Sequence, residues 1–367
     1  MSFLEMAAVI GAPLPKTAQR KAWWTYDGKS RQAHRIALRA SGFQATLLEP
    51  GERVRFERTQ AAQREREGYG KYVYLSDGSR RPRYAAIDPA EYADKCTCGK
   101  PECPRNRLLP FRDHIASLHR LIGNCIFGAY ALSDPDDWMA VQFPLLMAAS
   151  ISDVEVDTGY GEDPMVFALC ETTIDYEHGR SEMASKYVAA VSIYSFLWNA
   201  YEAAVAATAS EELRGLLKDG RLGERGRRLL ESRPELSSHF QGIHELTGLA
   251  IRWCELGGRF DRRLDKIRTR FKERNLVLAA ELCREFRNFV FHGEDEVPEH
   301  PDWGQAKVAY ARLYRFYVLG RLLLYLIQAL AWISILSSSK SVEWGYDEFG
   351  DRQLHDPREI LATMQFA

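Results

Sequence analysis

The sequence predicts a small α+β N-terminal domain followed by a mainly α C-terminal helical bundle, so that the chain is predominantly α overall. Two observations predict it. β-prone runs that lead into Asp-Gly lie within the first hundred residues, and Asp-Gly between such runs is a hairpin signal. From about Phe111 onward, apolar residues recur at helical spacing over long stretches. With 367 residues and 46% hydrophobic side chains, the chain can bury a sizeable core and accommodates two or three domains.

In chain order, Trp23-Trp24-Thr25-Tyr26 leads into Asp27-Gly28, and Tyr72-Val73-Tyr74-Leu75 leads into Asp77-Gly78, with Arg83 to Ile87 as the returning strand. Thr59 to Glu67 reads as a polar helix or loop. Asp113 to Leu132 carries Ile115, Leu118, Leu121, Ile122 and Ile126 on one helical face, and Asp136 to Ser150 continues likewise. Residues 151–183 are acidic and broken by Gly159, Gly161 and Pro164, which predicts an irregular connection. Tyr187 to Ala209 is a strong helix former, followed by shorter helices near Glu211–Leu217, Leu222–Ser232 and Ser238–Leu256. Arg259 to His292 reads as one long helix ended by Gly293 and Pro298, and Gln305 to Leu336 as the last. These elements predict a basic β-rich domain at 1–110, a helical and acidic connecting region at 111–183, a bundle at 184–338 and a tail at 339–367.

The formal net charge of −1 conceals an asymmetry. Residues 1–107 hold 20 Lys+Arg against 12 Asp+Glu, residues 108–183 hold 3 against 13, and residues 184–367 hold 26 against 25. A basic N-terminal block suits nucleic acid, and it suits equally the acidic block that follows it. The Trp and Tyr residues among those cations (Trp23, Trp24, Tyr69, Tyr72, Tyr74) offer stacking surfaces for bases, or a strand core. The seven cysteines form no paired framework and Met1 to Pro15 lacks a basic leader, so the expected location is cytoplasmic. Val318 to Leu336 is nearly all apolar. It contains Arg321 and Gln328, however, and continues the helical pattern begun near Gln305, which predicts a core helix and no membrane association. A phosphate-binding glycine loop, a dinucleotide fingerprint and a nucleophile elbow are all absent from the sequence.

The most informative residues are Arg287-Asn288-Phe289-Val290-Phe291-His292, followed by Gly293. An Arg, an Asn and a His are set into an otherwise apolar run, where an unpaired cation costs free energy. On an ideal helix Arg287 and His292 project about 140° apart, while Asn288 and His292 share a face. The chemistry such a set allows is attack of an RNA 2′-hydroxyl on the adjacent phosphate. His292 would move the proton, because imidazole titrates near neutrality, and Arg287 would hold the phosphorane charge. A second role for the same residues is structural: His292 as a cation at the helix C-terminus, and Arg287 paired with Glu285, Glu294 or Glu296. The basic stretch Arg259 to Arg274 adds eight Lys+Arg against three Asp+Glu to the same segment, as a phosphate-binding face or a solvated one.

This pattern resembles the Arg-(Asn/Asp/His)-x3-His element of the HEPN superfamily, with Arg287, Asn288 and His292 matching position by position. A looser match lies in Phe196 to Glu202, where Asn199 or Glu202 would be the polar residue near the site. The resemblance covers residues 184–338. It implies a HEPN-like bundle and a metal-independent endoribonuclease, with Arg287, His292, Asn288 and Glu202 at the site and no catalytic metal. It also implies a homodimer with two Arg/His pairs facing each other, acting on RNA such as tRNA. Many bacterial members are toxins or abortive-infection effectors in antiviral defence, with a sensing domain ahead of the nuclease and a trigger or inhibitor protein as partner. The alternative is a non-catalytic, zinc-containing nucleic-acid-binding or scaffold protein with a degenerate bundle.

Cys96-Thr97-Cys98-Gly99-Lys100-Pro101-Glu102-Cys103 is the second constellation. Three cysteines fall within eight residues, with Gly and Pro to turn the chain, as a metal knuckle needs. Structural zinc takes four N or S ligands, so the expected set is Cys96, Cys98 and Cys103 with His114 as the fourth, His119 and Cys125 being the other candidates.

Overall fold

The computed structural model describes residues 2–10, 13–24, 43–58, 72–74, 80–82, 88–96, 98, 100, 102–152, 154–159, 171–208, 222–273, 275–301, 305–336, 341–346 and 352–366. The chain divides into two compact units, one of residues 1–87 with 167–171 and one of residues 88–166 with 172–367.

The first unit holds helices α1 (Phe3–Ile10) and α2 (Lys21–Trp24), with antiparallel hairpins β1 (Phe43–Glu49)–β2 (Arg53–Arg58) and β3 (Tyr72–Tyr74)–β4 (Arg80–Pro82). Tyr72 to Tyr74 forms the expected strand, and its partner is Arg80–Pro82; residues 83–87 lie outside the described residues. Trp23 and Trp24 are helical instead of leading a hairpin. Tertiary packing overrides their β propensity: Trp24 is buried with Met6, Ala18, Ala45 and Val54, and its Nε1 donates to the Ala18 carbonyl at 2.6 Å. Residues 25–28, 59–67 and 211–217, also assigned above, lie outside the described residues.

The second unit is helical: α3 (Pro89–Tyr92), α4 (Phe111–Gly123), α5 (Pro135–Ser150), α6 (Glu171–Thr208), α7 (Leu222–Glu231), α8 (Ile243–Gly257), α9 (Asp261–Arg270), α10 (Leu276–Phe291) and α11 (Ala306–Ser334). A hairpin, β5 (Val342–Tyr346)–β6 (Arg352–His355), and α12 (Pro357–Thr363) follow. Three expectations are corrected. Helix α6 starts at Glu171, well before the expected Tyr187, and buries Met183 against Ala309 and Leu313, which offsets the cost of Gly179 within it. The expected long helix from Arg259 is two, because the Asn275 side chain accepts from the amides of Val277 and Leu278 at 3.1 Å and so caps a new helix. The expected tail is folded, with Val342, Ile360, Leu361 and Met364 in the main core.

Helix α11 runs through the middle of this unit and is buried on nearly all sides. It is long and apolar enough to cross a membrane, yet 89% of its most apolar stretch is buried inside the protein, as a central core helix requires. Helices α3, α4, α8 and α10 pack on it, and α6 crosses it with Tyr187 and Tyr194 edge-on to Phe316. Its three buried charged or amide side chains each have a polar partner. Arg315 is fully buried, pairs with the buried Asp295 and lies over Phe286 and Phe289 with centroid distances of 5.3 and 5.4 Å. Arg321 donates to Asp94 Oδ2 from Nε at 3.0 Å and to the Leu109 carbonyl at 2.9 Å. Gln328 donates to the Leu361 carbonyl at 2.6 Å.

His114 completes this network. Arg321 Nη1 lies 3.1 Å from its Nδ1, and Gln328 Oε1 3.0 Å from its Nε2. Guanidinium only donates, so Nδ1 accepts and Nε2 carries the proton. Burial and then the Arg321 charge hold His114 well below its ordinary value of 6.5. In the unfolded chain His114 protonates near that value while the folded chain keeps it neutral, so stability is present above pH 6.5 and is lost as the pH falls. The expected slope is up to about 1.4 kcal/mol per pH unit on the acid side. Urea midpoints at pH 7 and pH 5 check it, and His114→Gln, which cannot titrate, is expected to flatten the dependence.

Candidate functional site

Helix α10 carries Arg287 and Asn288, and His292 is its C-cap residue. The helix ends in a Schellman motif. The Gly293 amide donates to the Val290 carbonyl and the Glu294 amide to the Phe289 carbonyl, both at 3.1 Å, with Gly293 at φ +72°. A Cβ at Gly293 would meet open space, so only the backbone opposes a side chain there. Gly293→Ala is therefore expected to lower stability by about 1 kcal/mol, read from the urea midpoint, and to disturb the seat of the adjacent His292.

Arg287 is half-buried. Its Nη1 reaches Asn288 Oδ1 at 3.4 Å, and its guanidinium carbon lies 5.2 Å from the Phe291 ring centre and 6.0 Å from that of Trp198 on α6. Its Nε is buried without a hydrogen-bond partner among the described residues, as are Trp198 Nε1 and the Tyr201 hydroxyl. The Trp198 and Tyr201 rings are 5.4 Å apart, so these three unmatched donors sit in one neighbourhood. Helix α7 comes close beside them. A Cβ on Gly226 would lie 2.2 Å from the Tyr201 hydroxyl and 2.6 Å from Val205 Cγ2, so this approach needs glycine.

The carboxylates expected to pair with Arg287 are engaged elsewhere. Glu285 meets Arg263 at 2.8 Å and Arg284 at 2.7 Å, Glu294 meets Arg263, and Glu296 meets Arg259 at 2.5 Å. The Arg263 hydrogen bond holds the Glu294 carboxyl below its usual range, and the nearby His292 adds to this. The ion pairs continue along α10 through Arg284 to the buried Glu281 at 2.9 Å and on to Arg227 at 3.7 Å. Arg287 stands outside this chain. The same pairs, with Arg268–Glu255 at 2.6 Å, neutralise part of the basic stretch from Arg259, leaving Arg262, Lys266 and Arg270 on the exposed side.

The structure brings Arg287 and Asn288 together but joins neither to His292 by a side-chain hydrogen bond among the described residues. His292 is exposed beyond the last turn. Glu202 is half-buried on α6, one turn beyond Trp198, and no hydrogen bond or ion pair among the described residues links it to Arg287. Trp198 and Tyr201, not Asn199 or Glu202, are the α6 residues shown next to that cation or its neighbours. The resemblance points within Phe196 to Glu202 only to its polar members, Asn199 and Glu202.

In the second constellation, the sulfurs of Cys96, Cys98 and Cys103 all lie within 4.8 Å of one another. A tetrahedral ion bound at about 2.3 Å needs sulfurs roughly 3.8 Å apart, so small side-chain adjustments suffice. The Cys98 amide donates to Cys96 Sγ at 3.4 Å. The loop is braced by Arg105, which donates to the Asp94 carbonyl at 3.0 Å, and by Asn106, which donates to the Lys100 carbonyl at 2.9 Å. His114 is not the fourth ligand, since both ring nitrogens are committed inside the core network described above. Nor is Cys125, which is buried in the hydrophobic core with its thiol pushed up to about 12 by burial. Among the described residues, the metal-sized group consists of the three cysteines without His119.

No family model, curated protein or solved structure matches the chain.

Proposed function

We propose that the second unit is a metal-independent endoribonuclease of the HEPN type, working as a dimer in toxin or antiviral defence, with the first unit in substrate or trigger recognition. The observation that carries this reading is Arg287: a half-buried cation without a carboxylate partner among the described residues, while the acids nearest it in sequence are held by other arginines. A structural arginine in that setting would take one of those acids. A phosphate-binding arginine keeps its donors for the ligand.

In the proposed reaction an RNA 2′-oxygen attacks the adjacent phosphorus as imidazole removes its proton. The P–O5′ bond breaks, leaving a 2′,3′-cyclic phosphate, and the departing 5′-oxygen takes a proton from a second imidazole. Arg287 offsets the charge on the equatorial oxygens, and Asn288 holds the guanidinium at its Nη1. Among the described residues no side-chain hydrogen bond joins Arg287 to His292 within one chain, which suits a site completed by the Arg287 and His292 of a second copy. The same separation favours the rival reading, a non-catalytic RNA-binding or scaffold protein. Incubation of total RNA and tRNA with the protein in EDTA tests the two: cleavage with cyclic-phosphate ends supports the nuclease. Binding without cleavage, together with harmless expression in cells, supports the scaffold. Structural zinc on Cys96, Cys98 and Cys103 would hold the loop before α4 and takes no part in these steps.

A further inference from the structure

Cys96 borders a cavity of about 670 Å³ enclosed by α3, the loop that follows it, α4 and the end of α5. That volume falls in the range that encloses a small organic ligand. Its walls carry both signs of charge (Lys95, Arg105 and Arg112 with Glu91 and Asp113) beside the apolar Phe111. Zinc with three protein ligands leaves its fourth position to an exogenous donor, and the described residues bring three sulfurs together here. A three-sulfur group that reaches a ligand-sized cavity through Cys96 differs in kind from a closed knuckle.

We propose that the ion held by Cys96, Cys98 and Cys103 keeps its fourth position open to this cavity, and that the two form one site for a small amino-acid-like zwitterion bearing a thiol or imidazole donor. The proposal rests on the metal reading of the three cysteines. A divalent ion on three thiolates has a net charge of −1, which suits a ligand whose ammonium group lies beside its donor atom. Lys95 is paired with Glu91 at 2.7 Å, whereas Arg105 and Arg112 meet backbone carbonyls and no carboxylate among the described residues, and their charge suits the ligand's carboxylate. On binding, the donor atom displaces the solvent ligand and a thiol gives its proton to bulk solvent. Asp94 connects this site to the core: its carbonyl holds Arg105 and its carboxylate holds Arg321 on α11.

The test is cobalt(II) substitution of the full chain, followed by visible absorption. One cobalt per chain is expected, lost when all three cysteines are changed to serine. Retention of cobalt by that triple variant, or failure of the wild type to bind, overturns the metal reading itself. Titration with L-cysteine and L-histidine is expected to shift the absorption saturably with cobalt still bound after gel filtration. Ala116→Trp, which fills the cavity from the exposed side of α4, is expected to weaken that titration at least tenfold at unchanged cobalt content. An unshifted spectrum, stripping of the metal, or equal titration of Ala116→Trp overturns the open site while the metal reading stands. So does a changed spectrum in His34→Ala or Cys170→Ser, residues outside those described, because the protein would then supply the fourth ligand.

Discussion

Replacing Arg315 with methionine is expected to lower the unfolding free energy by about 3–5 kcal/mol. Arg315 and Asp295 have no exposed side-chain surface and face each other between α10, α11 and the segment after His292. Burying either ion alone is far costlier than burying the pair. Methionine keeps much of the arginine's volume against Phe286, Phe289 and Phe316, so lost packing contributes little. What remains is a buried carboxylate facing the Tyr187 hydroxyl without its cation. The double variant Arg315→Met, Asp295→Leu removes both charges and is expected to recover most of the loss. Urea unfolding of the wild type, the single and the double variant checks this; a double no more stable than the single would show that shape, not charge, sets the cost.

The second large effect falls on chemistry. In the RNA assay in EDTA, His292→Ala is expected to slow cleavage by about 10²- to 10⁴-fold, the usual contribution of a positioned acid–base group. Arg287→Ala is expected to slow it by about 10²- to 10³-fold, comparable with removing one donor to a developing oxyanion. Arg287→Lys keeps the charge but loses the planar fork, and is expected to restore only part of the rate. His292 is exposed at the helix end, so its replacement should leave the urea midpoint within about 0.5 kcal/mol of wild type. The contrast between a large rate loss and an unmoved midpoint separates a reacting imidazole from a structural cap. Rates within threefold of wild type for both alanine variants would remove the nuclease assignment.

The helical part of this fold was legible where apolar periodicity is strong. Pro135–Ser150 and Ala306–Ser334 fall within a few residues of their expected spans, because a single buried face repeats every three to four residues, whereas the helix expected to reach Leu132 ends at Gly123 and gives way to a π-helical turn at Asn124–Gly128. The hairpin at 43–58 was legible and passed over: Phe43, Ala45 and Leu47 alternate, as do Val54 and Phe56, around Pro50-Gly51. The start of α6 was hidden because an acidic, glycine-containing stretch becomes helical through contacts with Ala309 and Leu313, far away in sequence. The same limit applies to the sites. Local spacing picked out Arg287 and the three cysteines. It could not show that His114 is consumed by Arg321 and Gln328, more than 200 residues distant, nor that Trp198 stands beside Arg287.

The placement of α11 has a consequence for how the chain is made. The apolar faces of α4, α6, α8 and α10 all close on a helix that leaves the ribosome after every one of them. Until residues 306–334 emerge, those faces have no common partner, so the second unit cannot fold helix by helix in the order of synthesis. Its folding waits for α11, and nascent chains that stop before Gln305 present long apolar helices to chaperones and proteases.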